Sequence, residues 1–137
     1  MPNCFGFIIL DIDKKHTILV ETPNGNLSYP KGKFEKKKDL TQFDCAVREL
    51  EEETGITIDL IDIVPNILLS EYKKENVCSI QYYLGIMKIP NYVKFNPIDP
   101  EEIVSVKWYS IDKICKLDNL RQSRKDVFEN LKQILNL

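Results

Sequence analysis

Glu49, Glu52 and Glu53 stand three and four residues apart in the run RELEEETGI, Arg48 to Ile56. On a helix their carboxylates leave one side, within about a third of the circumference at about 100° per residue. Like charges at these spacings destabilise a helix by about 0.2–0.5 kcal/mol per pair. The cluster also falls near a helix C-terminus, where the macrodipole disfavours anions. A solvated helix face would more commonly mix lysines among its glutamates. The concentration of charge therefore points to something outside the chain that offsets it. Oxygen ligands suit Mg²⁺ first and Mn²⁺ as the alternative, and Mg²⁺ is usually held by a few carboxylates together with substrate phosphates.

These groups need a helix and a sheet to hold them. Thr41 is placed to cap the helix, with Asp44 three residues on as its reciprocal partner. Phe43, Ala46, Val47, Leu50 and Thr54 form its apolar face, and Gly55 is a natural stop. Upstream, Cys4–Asp13 and His16–Thr22 read as a strand hairpin, followed by the turn Pro23–Asn26 and a short stretch, Leu27–Tyr29. The loop Pro30–Asp39 carries five lysines. Downstream, Ile58–Val64, Ile67–Tyr72, Val77–Lys88 and Ile103–Ser110 read as strands, with a turn at Lys73–Asn76 and a proline-bearing loop before the last. Ser110 is expected to cap a short helix, IDKICKL, and a final helix covers about Arg124–Leu135. The order predicts an α+β domain with a mixed sheet and helices packed against it.

The segment PKGKFEKKKDLTQFDCAVRELEEETGI closely resembles the Nudix box of nucleoside-diphosphate-X hydrolases. Its second half matches at every position: Arg48, Glu49, Leu50, Glu52, Glu53, Gly55 and Ile56. The resemblance extends over nearly the whole chain and implies the Nudix fold, a sheet sandwiched by helices (α/β/α), as a single domain over residues 1–137 with its box at 32–56. The first half departs from the pattern. Gly32 and Arg48 are two residues further apart than in the family, and Lys38 or Leu40 falls where a glutamate belongs. Asp39 or Glu35 could replace that glutamate, with Asp39 preferred.

The resemblance implies a metal-dependent pyrophosphohydrolase in which activated water attacks a diphosphate linkage. Carried over by position, Glu49, Glu52, Glu53 and the Gly32 carbonyl hold metal, and Arg48 orients a glutamate of the box. Glu52, Glu53, Glu71 and the pair Glu101 and Glu102 remain open as general base. Lys31 and Lys33 are placed to meet phosphates, and Tyr72 and Tyr82 to meet a base. Tyr83 lies with them in the strands after the box, and Trp108 is expected in the core. The PKG lead-in is similar to both diadenosine-tetraphosphate hydrolases and mRNA-decapping Nudix enzymes. The first expectation is hydrolysis of a nucleoside or dinucleoside polyphosphate. The alternatives are mRNA cap hydrolysis, with capped RNA as partner, and a non-catalytic nucleotide-binding module.

Length and composition agree with one domain. The chain has 137 residues, 43% of them hydrophobic, and a net charge of −2. That balance argues against a protein built to hold long nucleic acid, which usually carries a broad basic face. No DNA or membrane partner is expected, and the chain is expected to be a monomer or homodimer. Cys4, Cys45, Cys78 and Cys115 form no CxxC pair. They read as reduced thiols of a cytoplasmic protein. The apolar start CFGFIIL lacks the basic flank of a leader peptide and is expected to be a strand.

Overall fold

A computed structural model describes residues 2–74, 77–90, 94–98 and 101–137. The uninterrupted apolar run CFGFIIL becomes β1 (Cys4–Leu10), the central strand, as expected of a strand covered on both faces. Its antiparallel hairpin partner is β2 (His16–Glu21). Next come two short strands, β3 (Leu27–Ser28) and β4 (Lys31–Lys33), helix α1 (Gln42–Thr54), and the long β5 (Ile61–Tyr72) and β6 (Cys78–Met87). The chain ends with β7 (Ser105–Ser110) and helix α2 (Gln122–Leu135).

The main path of the sheet runs β3-β2-β1-β6-β5, with β4 on β1 and β7 on β2. β1 pairs β6 in parallel and its other neighbours antiparallel, so the sheet is mixed. Side chains alternate across it. Ile8 and Leu10 face Val127, Phe128 and Leu131 of α2, whereas Phe5, Phe7 and Ile9 face Cys45, Ala46 and Leu50 of α1. One sheet thus carries two cores, one under each helix, and the α/β/α sandwich is formed.

Two local expectations change. The two runs Ile58–Val64 and Ile67–Tyr72 form one strand, β5, preceded by a 3₁₀ turn at Ile58–Leu60. Pro65 and Asn66 sit at a register shift between Ile63 and Leu68, with Asn66 at φ 64°. An edge strand absorbs this as a bulge because its outer groups have no partner to lose. The segment after Ser110 is a 3₁₀ turn, Ile111–Lys116, and Ser110 makes no side-chain cap bond. Glu75 and Asn76 of the expected turn, and parts of the proline-bearing loop, lie outside the described residues. Among the described residues no helix is long and apolar enough to cross a membrane.

Candidate active site

Helix α1 begins with the reciprocal cap seen in its sequence. Asp44 N–H donates to the Thr41 hydroxyl, Thr41 N–H donates to the Asp44 carboxylate, and both bonds measure 3.1 Å. The helix stops at Gly55, whose φ of 82° suits a residue without Cβ. Its last carbonyls are met by the loop before β7: Asn96 N–H donates to Thr54 O at 2.9 Å and Ile98 N–H to Glu52 O at 2.8 Å. That attachment brings Ile98, Glu102 and Ile103 to the same cleft as the α1 carboxylates.

The opposite wall is β4. Its register on β1 sets Gly32 opposite Phe5 and Lys31 opposite Gly6. Between β4, α1 and the loop lies a cleft of about 720 Å³ lined by Lys31, Gly32, Lys33, Glu49, Glu52, Glu53 and Glu102, among others. Gly32 is required by close approach. A Cβ there would fall 1.3 Å from Glu49 Oε2 and 2.0 Å from its carboxyl carbon.

Arg48 is the hub of the site. Its Nε donates to Asp39 Oδ1 at 2.8 Å, and one terminal nitrogen donates to Asp39 Oδ2 at 2.9 Å and to Lys33 O at 3.0 Å. The other terminal nitrogen meets Glu52 at 3.2 Å and 3.3 Å and approaches Glu35 at 3.4 Å. Asp39 is 4% exposed, and its second oxygen also accepts Glu35 N–H at 2.9 Å. The Arg48 hydrogen bonds outweigh the cost of burial and hold the Asp39 carboxyl down at about 2. Asp39 is therefore the buried, two-point partner of Arg48. Glu35 stays at the rim, shared between Arg48 and Lys38.

The carboxylates are strained electrostatically. Burial, the adjoining Glu52 and the charge of Glu53 raise Glu49 to about 8. Burial raises Glu53 to about 7 against the Lys31 N–H, and the charge of Glu102 adds to the rise. Glu53 Oε1 accepts that N–H at 3.1 Å.

These groups share a cleft without meeting at one point. Among the described residues no three acidic, thiol or imidazole side chains gather as a ready metal cage. Glu52 is drawn to Arg48 and Glu53 to the β4 backbone. The donor set nevertheless fits a hard divalent cation. It offers carboxylate oxygens beside a backbone carbonyl, and the missing Gly32 side chain leaves room for Glu49.

A sequence model of the NUDIX domain matches residues 2–131. The chain belongs to the NUDIX domain family. Among relatives, a Saccharomyces cerevisiae m7GpppN-mRNA hydrolase is 27% identical over 113 residues, covering 81% of this chain and 11% of the yeast protein. Arabidopsis thaliana Nudix hydrolase 15, mitochondrial, is 30% identical over 113 residues, covering 82% of this chain and 38% of the plant protein. The chain thus spans well under half the length of either relative. Among solved structures, a Caenorhabditis elegans Ap4A hydrolase binary complex superposes with a TM-score of 0.77 at 19% identity, covering 97% of this chain and 98% of that one. At that identity the likeness is one of fold.

Within this NUDIX chain the expected site residues divide clearly. Glu49, Glu52, Glu53, Arg48, Gly32, Lys31 and Lys33 all line the cleft. Tyr82 does not. It is fully buried, edge-on to Tyr29, and its hydroxyl donates to Glu71 at 2.6 Å. Strand alternation explains the correction: Tyr82 points into the α2-side core, and its neighbour Tyr83 faces Phe7 and Phe43 on the α1 side. Tyr72 is 52% exposed but lies on a neighbouring cleft. Trp108, expected in the core, is only partly buried and packs on Phe95 at the margin of the α1-side core.

Glu71 is 3% exposed and lies away from the α1 carboxylates, held by Tyr82, by the Ser123 hydroxyl at 2.9 Å and by Arg124 at 3.4 Å. It is therefore a structural carboxylate, and of the acidic pair after the box only Glu102 lines the cleft. Sequence reasoning did not single out Arg124, and it read Lys38 only as a residue standing where a glutamate belongs; Lys38 stays exposed and reaches the rim of the cleft from the lengthened loop.

Proposed function

We infer that this chain hydrolyses a diphosphate linkage in a nucleoside polyphosphate, with a dinucleoside polyphosphate of the diadenosine-tetraphosphate type as the preferred substrate and Mg²⁺ or Mn²⁺ as cofactor. One observation carries the reading. Three glutamates of one helix line a cleft of about 720 Å³ together with Lys31 and Lys33, and burial and mutual repulsion raise two of those carboxyls above the ordinary range.

Glu49, Glu52 and Glu53, with the Gly32 carbonyl, are the residues that would hold metal. A divalent cation bound there neutralises the diphosphate and lowers the pKa of its water. The chain's own groups do the rest. Lys31 and Lys33 attract the phosphate chain. Arg48, clamped by Asp39, fixes the middle of α1 against β4 and holds Glu52 in reach of the cleft. Glu102, facing Glu53 across the cleft, is the favoured proton acceptor from outside the box.

A second reading is cap hydrolysis, supported by the names of the yeast relative and of a viral one, the African swine fever virus mRNA-decapping protein g5R, 36% identical over 84 residues. Incubating the protein with dinucleoside polyphosphates, nucleoside triphosphates and capped RNA in Mg²⁺ or Mn²⁺, and weighing the products, separates the two. Release of ATP and AMP from diadenosine tetraphosphate supports the first reading. Release of m7GDP alone, with the dinucleotides untouched, replaces it with the second.

A further inference from the structure

Gly6 lies buried within β1, where a glycine weakens a strand unless another stretch of backbone must come close. Here one does. A Cβ on Gly6 would fall 2.3 Å from Pro30 O, 2.4 Å from Lys31 Cβ and 2.9 Å from Lys31 Cα. The φ of Gly6 is not left-handed, so the contact alone asks for glycine. The chain entering β4 is fastened at this point by Phe7 N–H, which donates to Pro30 O at 3.0 Å.

β4 is also fastened to α1, with one bond from each of its residues. Lys31 N–H donates to Glu53 Oε1 at 3.1 Å, the Cys45 thiol donates to Gly32 O at 3.6 Å, and Arg48 donates to Lys33 O at 3.0 Å. Lys31 is the residue opposite Gly6, and its bond is the one that holds a carboxylate of the cleft. How closely β4 rests on β1 therefore decides where Glu53 stands.

We propose that Gly6 is a positioning residue of the candidate active site: its missing side chain seats Pro30 and Lys31 on β1 and so aligns the Lys31 amide with Glu53. The inference rests on the reading above of Glu53 as a residue that would hold metal and of Lys31 as a phosphate contact. A methyl at Gly6 must move one strand or the other. β1 pairs with β6 at seven positions and feeds both cores, whereas β4 pairs with β1 at three. β4 is the strand that yields. The Lys31 N–H then leaves Glu53, and Lys31 loses its place in the cleft. Gly32 makes room for Glu49 inside the site, and Gly6 sets the wall that carries Gly32 from outside it.

The test compares Gly6→Ala with Gly85→Ala, which alters another buried glycine of the sheet. A Cβ on Gly85 would fall 2.4 Å from Ile61 Cγ2 and 3.0 Å from Ile9 Cδ1, core side chains instead of β4 backbone. The control thus reports what crowding the core does by itself. Both variants are measured at the same interval below their own Tm. Mn²⁺ titration followed by electron paramagnetic resonance should give a Kd about tenfold weaker for Gly6→Ala, and kcat/KM for diadenosine tetraphosphate should fall by about 10–100-fold. Hydrogen exchange should show the Lys31 amide deprotected in Gly6→Ala alone. Gly85→Ala should match wild type in all three. If Gly6→Ala does not fold, the same pair is made on Lys14→Gly/Asn136→Gly, where φ values of 58° and 61° favour glycine. Failure to fold there too would make Gly6 a residue of the fold alone and overturn the proposal. So would equal losses in the two variants, or a Gly6→Ala protein that keeps its Mn²⁺ affinity and kcat/KM. No turnover by wild type, with the Mn²⁺ and exchange differences intact, would sink the hydrolytic reading and leave Gly6 its role.

Discussion

The guanidinium of Arg48 holds the carboxylate of Asp39 through two parallel hydrogen bonds of 2.8 Å and 2.9 Å, across nine residues of chain. Asp39 turns under the arginine while Lys36, Lys37 and Lys38 stay at the surface.

Asp39→Ala should therefore lower kcat/KM by about 10–100-fold, as loss of a partner behind a metal-site residue commonly does. Glu35→Ala, at the exposed rim, should change it by less than about twofold. The same pair makes stability depend on acid. The folded-state value of Asp39, about 2, lies below its ordinary 3.8. Its contribution is full above pH 3.8 and is lost as pH falls toward 2. Acid titration of the wild type against Asp39→Asn, followed by circular dichroism, reads that difference.

Glu49 behaves in the opposite sense. Its folded-state value, about 8, is above the ordinary 4.5. Between these values the metal-free folded chain keeps a proton that the unfolded chain has released, so stability falls as pH rises through the window. Glu49→Gln removes the slope and should raise the metal-free Tm at pH 8.5 by roughly 3 °C or more. Mg²⁺ should raise the wild-type Tm more at pH 8.5 than at pH 6, because a ligand of the native state stabilises it.

Gly32→Ala would drive a methyl into the Glu49 carboxyl, 1.3 Å from its Oε2. Activity should fall by about 100-fold or more, as for a misplaced reacting group. Calorimetry should show Tm lowered by only a few degrees or so, since β4 is a short strand whose side chains are only partly buried.

Glu71→Ala should act on stability. It strands the guanidinium of Arg124, 5% exposed, and should cost about 3–5 kcal/mol in urea unfolding. Turnover per folded molecule should stay within about tenfold of wild type. A loss of about a thousandfold with the fold intact would return Glu71 to the reaction.

Much of this was legible in the residues themselves. Thr41, Asp44 and Gly55 delimit α1 because caps are local chemistry, and Arg48, Glu49, Glu52 and Glu53 reach one cleft because helical spacing puts them on one face. The errors arose where distant chain decides. Pro65 and Asn66 look like a strand break, yet an edge strand tolerates them. Tyr82 and Tyr83 are adjacent, and only the pairing of β6 with β1 determines which face each one joins. Glu71 meets Ser123 and Arg124 across some fifty residues, a contact with no sequence signature.

In the proposed function, the α1 carboxylates make this chain a metal-dependent hydrolase of nucleoside polyphosphates. The most direct measurement is mass-resolved product formation from diadenosine tetraphosphate with Mg²⁺, comparing wild type with Glu53→Gln at matched fold content. Wild type should cleave it, chelation should abolish the cleavage, and the variant should fall by about a thousandfold or more with Tm retained or raised. Turnover that survives chelation or the substitution would contradict it.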